Sequence, residues 1–132
     1  MKIFIDSNIF ISLVNRTDPN HKKALYLFNE IEKNKDDVTT SNYVISEVTT
    51  ILSQRFSHNM AIKFGNDLYS GDTIILTTDK YIENLTWDIF KKNINKDISY
   101  VDCSNIAFCT KHKISKMITF DKNLTNLYKE YS

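Results

Sequence analysis

Residues 3–13 read IFIDSNIFISL, and this stretch decides the fold. Its three leading apolar residues end directly on Asp6, which is typical of a short buried strand after which the chain leaves the sheet. Residues 116–121, which read KMITFD, have the same form near the other end of the chain and end on Asp121. Side chains that follow the strands of an open parallel sheet meet at one edge, where ligands usually bind. We therefore expect Asp6 and Asp121 at the same edge of one sheet.

The rest of the chain alternates between strand-like and helix-like segments. Apolar and β-branched runs predict four strands, at residues 2–5, 38–40, 74–77 and 116–120. Apolar residues spaced at i, i+3, i+4 and i+7 predict helices from about residues 42, 60 and 80, and an earlier one that Asp18 caps ahead of Pro19. This alternation indicates an α/β fold with a short, mostly parallel sheet of about four strands. With helices on both faces, the expected architecture is three-layer α/β/α.

Length and composition restrict the class of protein. At 132 residues the chain fits a single domain, residues 1–132, that needs no disulfide or structural zinc. Its formal net charge of +1 gives no whole-molecule attraction to nucleic acid, so contact with RNA needs a local basic patch. Cys103 and Cys109 lie too far apart along a predicted helix to bond to each other, which fits a reducing cytosol. No apolar run reaches the roughly 18 residues of a membrane span, so we expect a cytoplasmic protein without a membrane partner.

Four carboxylates lie at strand ends, at a helix start or on the apolar side of a helix. Each has a simple structural explanation. Asp6 and Asp121 follow strands, so each could be the N-cap of the next helix. Residues 99–102 read SYVD, the form of a capping box, which would explain Asp102. Glu47 falls on the apolar stripe of its predicted helix, where it needs an ion pair or a route to water from a flank. Taken singly, none of the four requires a functional site.

The four acids together indicate a shared site. Asp6 follows the first strand and Asp121 the last, while Glu47 lies within a helix and Asp102 begins a late helix. The fold can therefore bring the four together. At a separation of about 4 Å and an effective dielectric constant near 20, each like-charged pair repels by roughly 4 kcal/mol. Protons or cations must therefore accompany the cluster, and one or two Mg²⁺ or Mn²⁺ ions prefer such oxygen ligands. A cation site of this composition suits hydrolysis of phosphodiester bonds.

The segments that carry these acids also occur together in a known family. They are IFIDSNIFISL at residues 3–13, SEV at 46–48, SYVDCSNIAFC at 99–109 and ITFDKNL at 118–124. In this order and spacing they resemble the PIN-domain family, and within it the VapC-type toxins of toxin–antitoxin pairs. The resemblance covers nearly the whole chain and implies a metal-dependent endoribonuclease.

The resemblance also implies roles and partners. The catalytic metal site would consist of four acids, Asp6, Glu47, Asp102 and Asp121. Ser7, Asn8 and Asn105 would support these acids, although a local hydrogen bond in a helix or turn is the simpler role for both asparagines. The implied partners are an RNA substrate, an antitoxin whose C-terminal segment blocks the acidic groove, and a second copy of the chain in a homodimer.

Some details stay open at the level of sequence. Arg16, Arg55 and Lys122 are candidates for binding phosphates, but most charges on helices simply face water. Only eleven residues follow Asp121, so the final strand of many relatives is abbreviated or missing. Two other functions are open: a PIN-like protein that binds RNA or a partner without cutting, and a stand-alone RNA-processing nuclease.

Overall fold

The computed structural model describes all residues, 1–132, as one four-stranded parallel sheet and seven helices. In chain order the elements are β1 (Lys2–Ile5), α1 (Ser7–Val14), α2 (His21–Lys33), β2 (Asp37–Ser41), α3 (Asn42–Arg55), α4 (His58–Ser70), β3 (Ile74–Leu76), α5 (Lys80–Lys92), α6 (Tyr100–Lys111), β4 (Lys116–Ile118) and α7 (Lys122–Tyr131). The predicted α/β fold, with its parallel sheet of four strands, is confirmed. None of the seven helices has the length and hydropathy to cross a membrane.

The strand order β3-β2-β1-β4 places β1 inside the sheet, with a parallel neighbour on each side. In register, Phe4 lies opposite Thr39 of β2 and Met117 of β4. The strands all run in one direction, so their carboxyl ends share an edge, and Asp6 emerges from the middle of it. The backbone N–H of Asp6 still donates to the carbonyl of Ile118 at 3.0 Å. The sheet therefore holds the first acid by its backbone.

Helix α6 lies within the core and brings Asp102 to the same edge. Residues 103–109 are all buried, so this helix has almost no solvent face beyond its ends. The ring of Phe108 stacks on that of Phe4, with centroids 6.2 Å apart, and ties α6 to the central strand. Cys103 and Cys109 are buried and free, as predicted. Because α6 packs against both the sheet and α5, its first turn has a fixed position at the edge.

Several element boundaries differ from the sequence prediction, and two of the differences have a visible cause. Helix α2 begins at His21, because the Asp18 carboxylate accepts from the N–H of Asn20 at 2.7 Å in a turn ahead of the helix. Strand β4 ends at Ile118, two residues earlier than predicted. The backbone N–H groups of Phe120 and Asp121 bond to side chains instead of to a neighbouring strand. The residues after Asp121 form α7, and no strand follows β4.

Candidate active site

Asp6 is the most buried of the four predicted acids, with only 2% of its surface exposed. Its Oδ1 accepts from the backbone N–H of Ser7 at 2.7 Å and from Nδ2 of Asn105 at 2.9 Å, and its Oδ2 accepts from the Thr119 hydroxyl at 2.7 Å. Burial raises the pKa of Asp6; the three hydrogen bonds oppose this rise, and the nearby charge of Asp121 adds to it. A buried charge needs such donors, because water no longer solvates it.

The Thr119 hydroxyl is the centre of a network that joins β1 to the turn before α7. Besides donating to Asp6, it accepts from Nδ2 of Asn8 and from the backbone N–H of Asp121, both at 3.0 Å. One donated and two accepted bonds use its full capacity. Asn8 completes the link, since its Oδ1 accepts from the N–H of Phe120 at 3.1 Å. Asn8 thus acts across the fold, and the simpler local role suggested for it is wrong.

Glu47 reaches the group through Ser7. The Ser7 hydroxyl donates to Oε2 of Glu47 at 2.6 Å, although the residues stand 40 positions apart. Helix α3 follows β2 without a loop and is capped by Ser41, whose hydroxyl accepts from the N–H of Val44 at 3.2 Å. The half-buried position of Glu47 is therefore set by the end of β2, beside the end of β1.

Asp102 is both a helix cap and a member of the acidic group. Its Oδ2 accepts from the N–H of Ser99, and the Ser99 hydroxyl accepts from the N–H of Asp102, both at 3.0 Å, so the predicted capping box is present. Burial raises the pKa of Asp102 to about 6, despite the hydrogen bond from Ser99, and repulsion by Asp6 and Asp121 contributes to the rise. The three aspartates thus lie within electrostatic range of one another.

Asp121 also combines the two roles. It is the N-cap of α7, where its Oδ1 accepts from the backbone N–H groups of Asn123 at 2.9 Å and Leu124 at 3.4 Å. Asp6 likewise is the N-cap of α1. The capping explanation and the shared site are therefore not alternatives, since helix starts and strand ends meet at this edge of the sheet.

The donor set fits a hard divalent cation. Oδ1 of Asn105 is buried and has no hydrogen-bond partner, while its Nδ2 holds Asp6. Among the acids, no protein donor engages Oδ1 of Asp102, Oδ2 of Asp121 or Oε1 of Glu47. Mg²⁺ and Mn²⁺ take oxygen ligands of these kinds. As the side chains stand, no three of the chain's His, Cys, Asp and Glu residues form a group that could hold an ion, so binding requires Glu47, Asp102 or Asp121 to change orientation.

The three basic candidates are placed differently. Lys122 is exposed in the first turn of α7, directly after Asp121, and forms no ion pair. Arg55 ends α3, about 12 Å along the helix from Glu47 at the usual rise per residue. Arg16 lies beyond the end of α1, on the chain leading away from Ser7. Only Lys122 stands beside the acids.

Comparison with known proteins agrees with this geometry. The family model described as PIN domain matches residues 3–130. The chain belongs to the PIN domain family. It is 26% identical over 119 residues to the 23S rRNA-specific endonuclease VapC20 of Mycobacterium tuberculosis, which covers 90% of this chain and 88% of the relative.

Two solved structures share the fold of this PIN domain. The crystal structure of M. tuberculosis VapC20, described as a sarcin-ricin loop cleaving toxin, has a TM-score of 0.82 at 24% identity and covers 94% of this chain and 93% of that one. The structure of VapBC2 from Rickettsia felis, bound to a DNA fragment from its promoter, has a TM-score of 0.64 at 15% identity, with 96% and 93% covered. At these identities the likeness establishes the architecture.

Sequence analysis missed Thr119, which contacts two of this PIN domain's acids, Asp6 and Asp121, just as Ser7 contacts Asp6 and Glu47. A threonine at the end of a strand has the ordinary β-propensity of its type, so composition gave no reason to select it. The available signal was its position two residues before Asp121, where a hydroxyl can accept from the backbone two residues on. Asn105 was named, but its partner is Asp6, 99 residues away, so the local bond suggested for it is wrong.

Replacing Asp102 with asparagine should stabilise the protein at neutral pH. Because the folded-state pKa is raised, the stabilising contribution of the neutral carboxyl is present at acidic pH and is lost as pH rises through about 6. Asp102→Asn keeps an oxygen for the Ser99 N–H and removes the charge. In urea unfolding with EDTA, we expect the variant to exceed wild type by on the order of 1–3 kcal/mol at pH 7.5 and to match it only below the ordinary pKa of an aspartate, at about pH 3.5. The exposed Asp72→Asn is the control; equal effects of Asp102→Asn at both pH values would contradict the expected repulsion.

Replacing Thr119 with valine should loosen the acidic group without changing side-chain shape. The change removes one donor from Asp6 and one acceptor shared by Asn8 and the Asp121 N–H. Leaving these groups unpaired should lower the free energy of unfolding by about 2–3 kcal/mol in chemical denaturation. Thr119→Ser, which keeps the hydroxyl, should lose less than about 1 kcal/mol. If the valine variant is as stable as wild type, Thr119 does not organise the site.

Proposed function

We propose that this PIN domain is a divalent-metal-dependent endoribonuclease and the toxin of a toxin–antitoxin pair. The observation that carries the proposal is the grouping of Asp6, Asp102 and Asp121 within electrostatic range, with Glu47 joined to Asp6 through Ser7. The names of the relatives support RNA as the substrate, since M. tuberculosis VapC20 is a 23S rRNA-specific endonuclease.

The four acids, with Asp6 and Asp102 as principal ligands, would hold one or two Mg²⁺ or Mn²⁺ ions. Such an ion, when bound, supplies polarisation of the phosphate and activation of water. The chain's own groups prepare the site: Ser7, Asn105 and Thr119 fix the Asp6 carboxylate through hydrogen bonds. Because these donors hold Asp6 in one orientation, little reorganisation of that acid is needed on binding.

RNA approaching this edge meets negative charge, so local cations matter. Lys122 projects from the turn next to Asp121 and has no acidic partner, which makes it the best placed candidate for contacting a phosphate. Arg16 and Arg55 stand at the far ends of helices and would contact only a longer RNA.

An antitoxin and a second copy of the chain are the proposed protein partners. Support for the antitoxin comes from the VapBC2 structure of R. felis, which contains a chain of this architecture. Helix α5 also exposes large apolar side chains, which a protein partner would cover. They are Tyr81, Trp87 and Phe90, and they are 38–57% exposed. The alternative of a non-cutting RNA binder is disfavoured, because all four acids are present and three of them keep an oxygen free of protein hydrogen bonds.

Purified protein should cleave RNA from a suitable host into discrete fragments with Mg²⁺ or Mn²⁺. Hydrolysis should leave 5′-phosphate and 3′-hydroxyl ends, which ligation and end-labelling identify. EDTA should abolish cleavage, and so should Glu47→Gln, which keeps an oxygen for the Ser7 hydroxyl but loses the charge. The exposed Glu32→Gln in α2 is the matched control and should cleave as wild type does. Fragments ending in 2′,3′-cyclic phosphate, or cleavage that survives Glu47→Gln, would refute this mechanism.

Mg²⁺ or Mn²⁺ should also stabilise the folded protein. Binding to the folded state alone adds about 2.7 kcal/mol at a hundredfold excess over the dissociation constant, and it relieves the repulsion among the aspartates. Thermal unfolding in EDTA, in Mg²⁺ and in KCl of equal ionic strength separates binding from screening. The metal-specific shift should shrink in Asp102→Asn. No shift in wild type at millimolar metal would argue against a site formed by these residues.

A further inference from the structure

A cleft of about 460 Å³ opens beside the acidic group, between residues 93–98 and helix α7. Each of its two walls contains a residue close in sequence to one of the acids. On one wall, the backbone N–H of Asn123 donates to Asp121. On the other, Ile98 directly precedes Ser99, whose N–H donates to Asp102. A strand of RNA that crosses the acids can therefore enter this cleft with the next nucleotide.

The lining of the cleft combines free amides with apolar surface. Asn123 and Asn126 are exposed, and neither side chain has a hydrogen-bond partner within the protein, so each can both donate and accept. Ile94 is 100% exposed, Tyr131 is 40% exposed, and Leu127 also lines the cleft. A flat ring with polar edges matches this surface, because apolar groups pack on its faces and amides bond to its edge.

The charges at the cleft also suit a nucleotide. Lys92 lines it and forms no ion pair, so it is available to a phosphate. One acid, Glu130, also lines it and comes one residue before Tyr131, toward the end of α7 and away from Asp121. The volume lies within the roughly 300–1,000 Å³ of small-ligand sites.

We propose that this cleft binds one unpaired nucleotide of the RNA, adjacent to the bond that is cut, and that Asn126 and Ile94 set the preference for its base. The proposal rests on the proposed ribonuclease function and adds the part of the substrate that is recognised. Proteins read RNA sequence mainly through unpaired bases, which stack on side chains and bond through their edges. The amides of the cleft read the edge of such a base while Ile94 packs on its face.

The test begins with wild-type protein and Mg²⁺ or Mn²⁺, which locates the cut site in host RNA. Short single-stranded RNAs are then made with A, C, G or U on each side of the cut. Binding of these RNAs is measured by fluorescence anisotropy in the Glu47→Gln background, and cleavage rates are measured in the otherwise wild-type protein. The variants are Asn126→Ala and Ile94→Ser, and the matched control is Asn59→Ala, an exposed asparagine in the first turn of α4.

We expect both cleft variants to bind the preferred RNA roughly tenfold more weakly and to lose most of the difference among the four bases. Asn59→Ala should change neither property. Both changed side chains are exposed, so thermal melting should be unaltered. If both cleft variants keep the base preference of the wild-type protein, and the wild-type protein cleaves RNA, the proposed role of the cleft is refuted. The proposed ribonuclease function is then unaffected. Unchanged RNA binding with weakened self-association or antitoxin binding assigns the cleft to a protein partner instead. If the wild-type protein neither cleaves nor binds RNA, both the ribonuclease function and the nucleotide cleft are refuted.

Discussion

The Asp6 carboxylate lies almost entirely out of water, at the end of the central strand, and the elements around it are arranged to compensate its charge. Burying an unpaired carboxylate would cost several kcal/mol or neutralise the group. The compensation comes from three separate places: the first N–H of α1, Asn105 in α6, and Thr119 after β4. The positions of these segments are thereby coupled, because a shift of any one of them removes a donor from the same buried group.

The acidic group is held by forces of opposite sign. Asp6, Asp102 and Asp121 each accept backbone N–H groups at the start of a helix. For Asp6 and Asp102 these hydrogen bonds favour the charged form, whereas burial and the charges of neighbouring acids favour the neutral form. For Asp102 the second effect is larger, since its pKa is raised to about 6. The helix caps therefore allow the acids to lie close together without cations. Part of the unfavourable free energy of burial and repulsion is left, and a bound cation can remove it.

The parts of the site that sequence could predict are those with a local signature. Asp6 and Asp121 were predicted because each follows an apolar, strand-like run, although β4 itself ends three residues before Asp121, and Asp102 because the SYVD capping box spans four consecutive residues. Thr119 could not be found in this way. Its role depends on Asp6 and Asn8, which stand more than 100 positions away and meet it only because β1 pairs with β4.

The same distinction explains the errors of the sequence analysis. An aspartate before a proline predicts a helix cap at Asp18, but the same side chain can close a turn two residues on, and the two bonds cannot be told apart from composition. The asparagines at 8 and 105 were given a local role because local bonds are the commoner use of this residue. Both instead point toward the strand ends, where buried acceptors and donors have no water to satisfy them.

Charge balance determines where recognition of RNA has to occur. The chain has 17 basic and 16 acidic residues, so it lacks a broad field that attracts a polyanion, and the edge of the sheet itself is acidic. Affinity must then come from a few neighbouring cations, such as Lys122 and Lys92, together with contacts to unpaired bases that do not depend on charge. In the proposed function the acids would supply the chemistry at the edge, yet their negative charge repels the RNA that they would act on. The surfaces on either side of them, more than the acidic group, must therefore decide which RNA is bound and which bond lies over the acids.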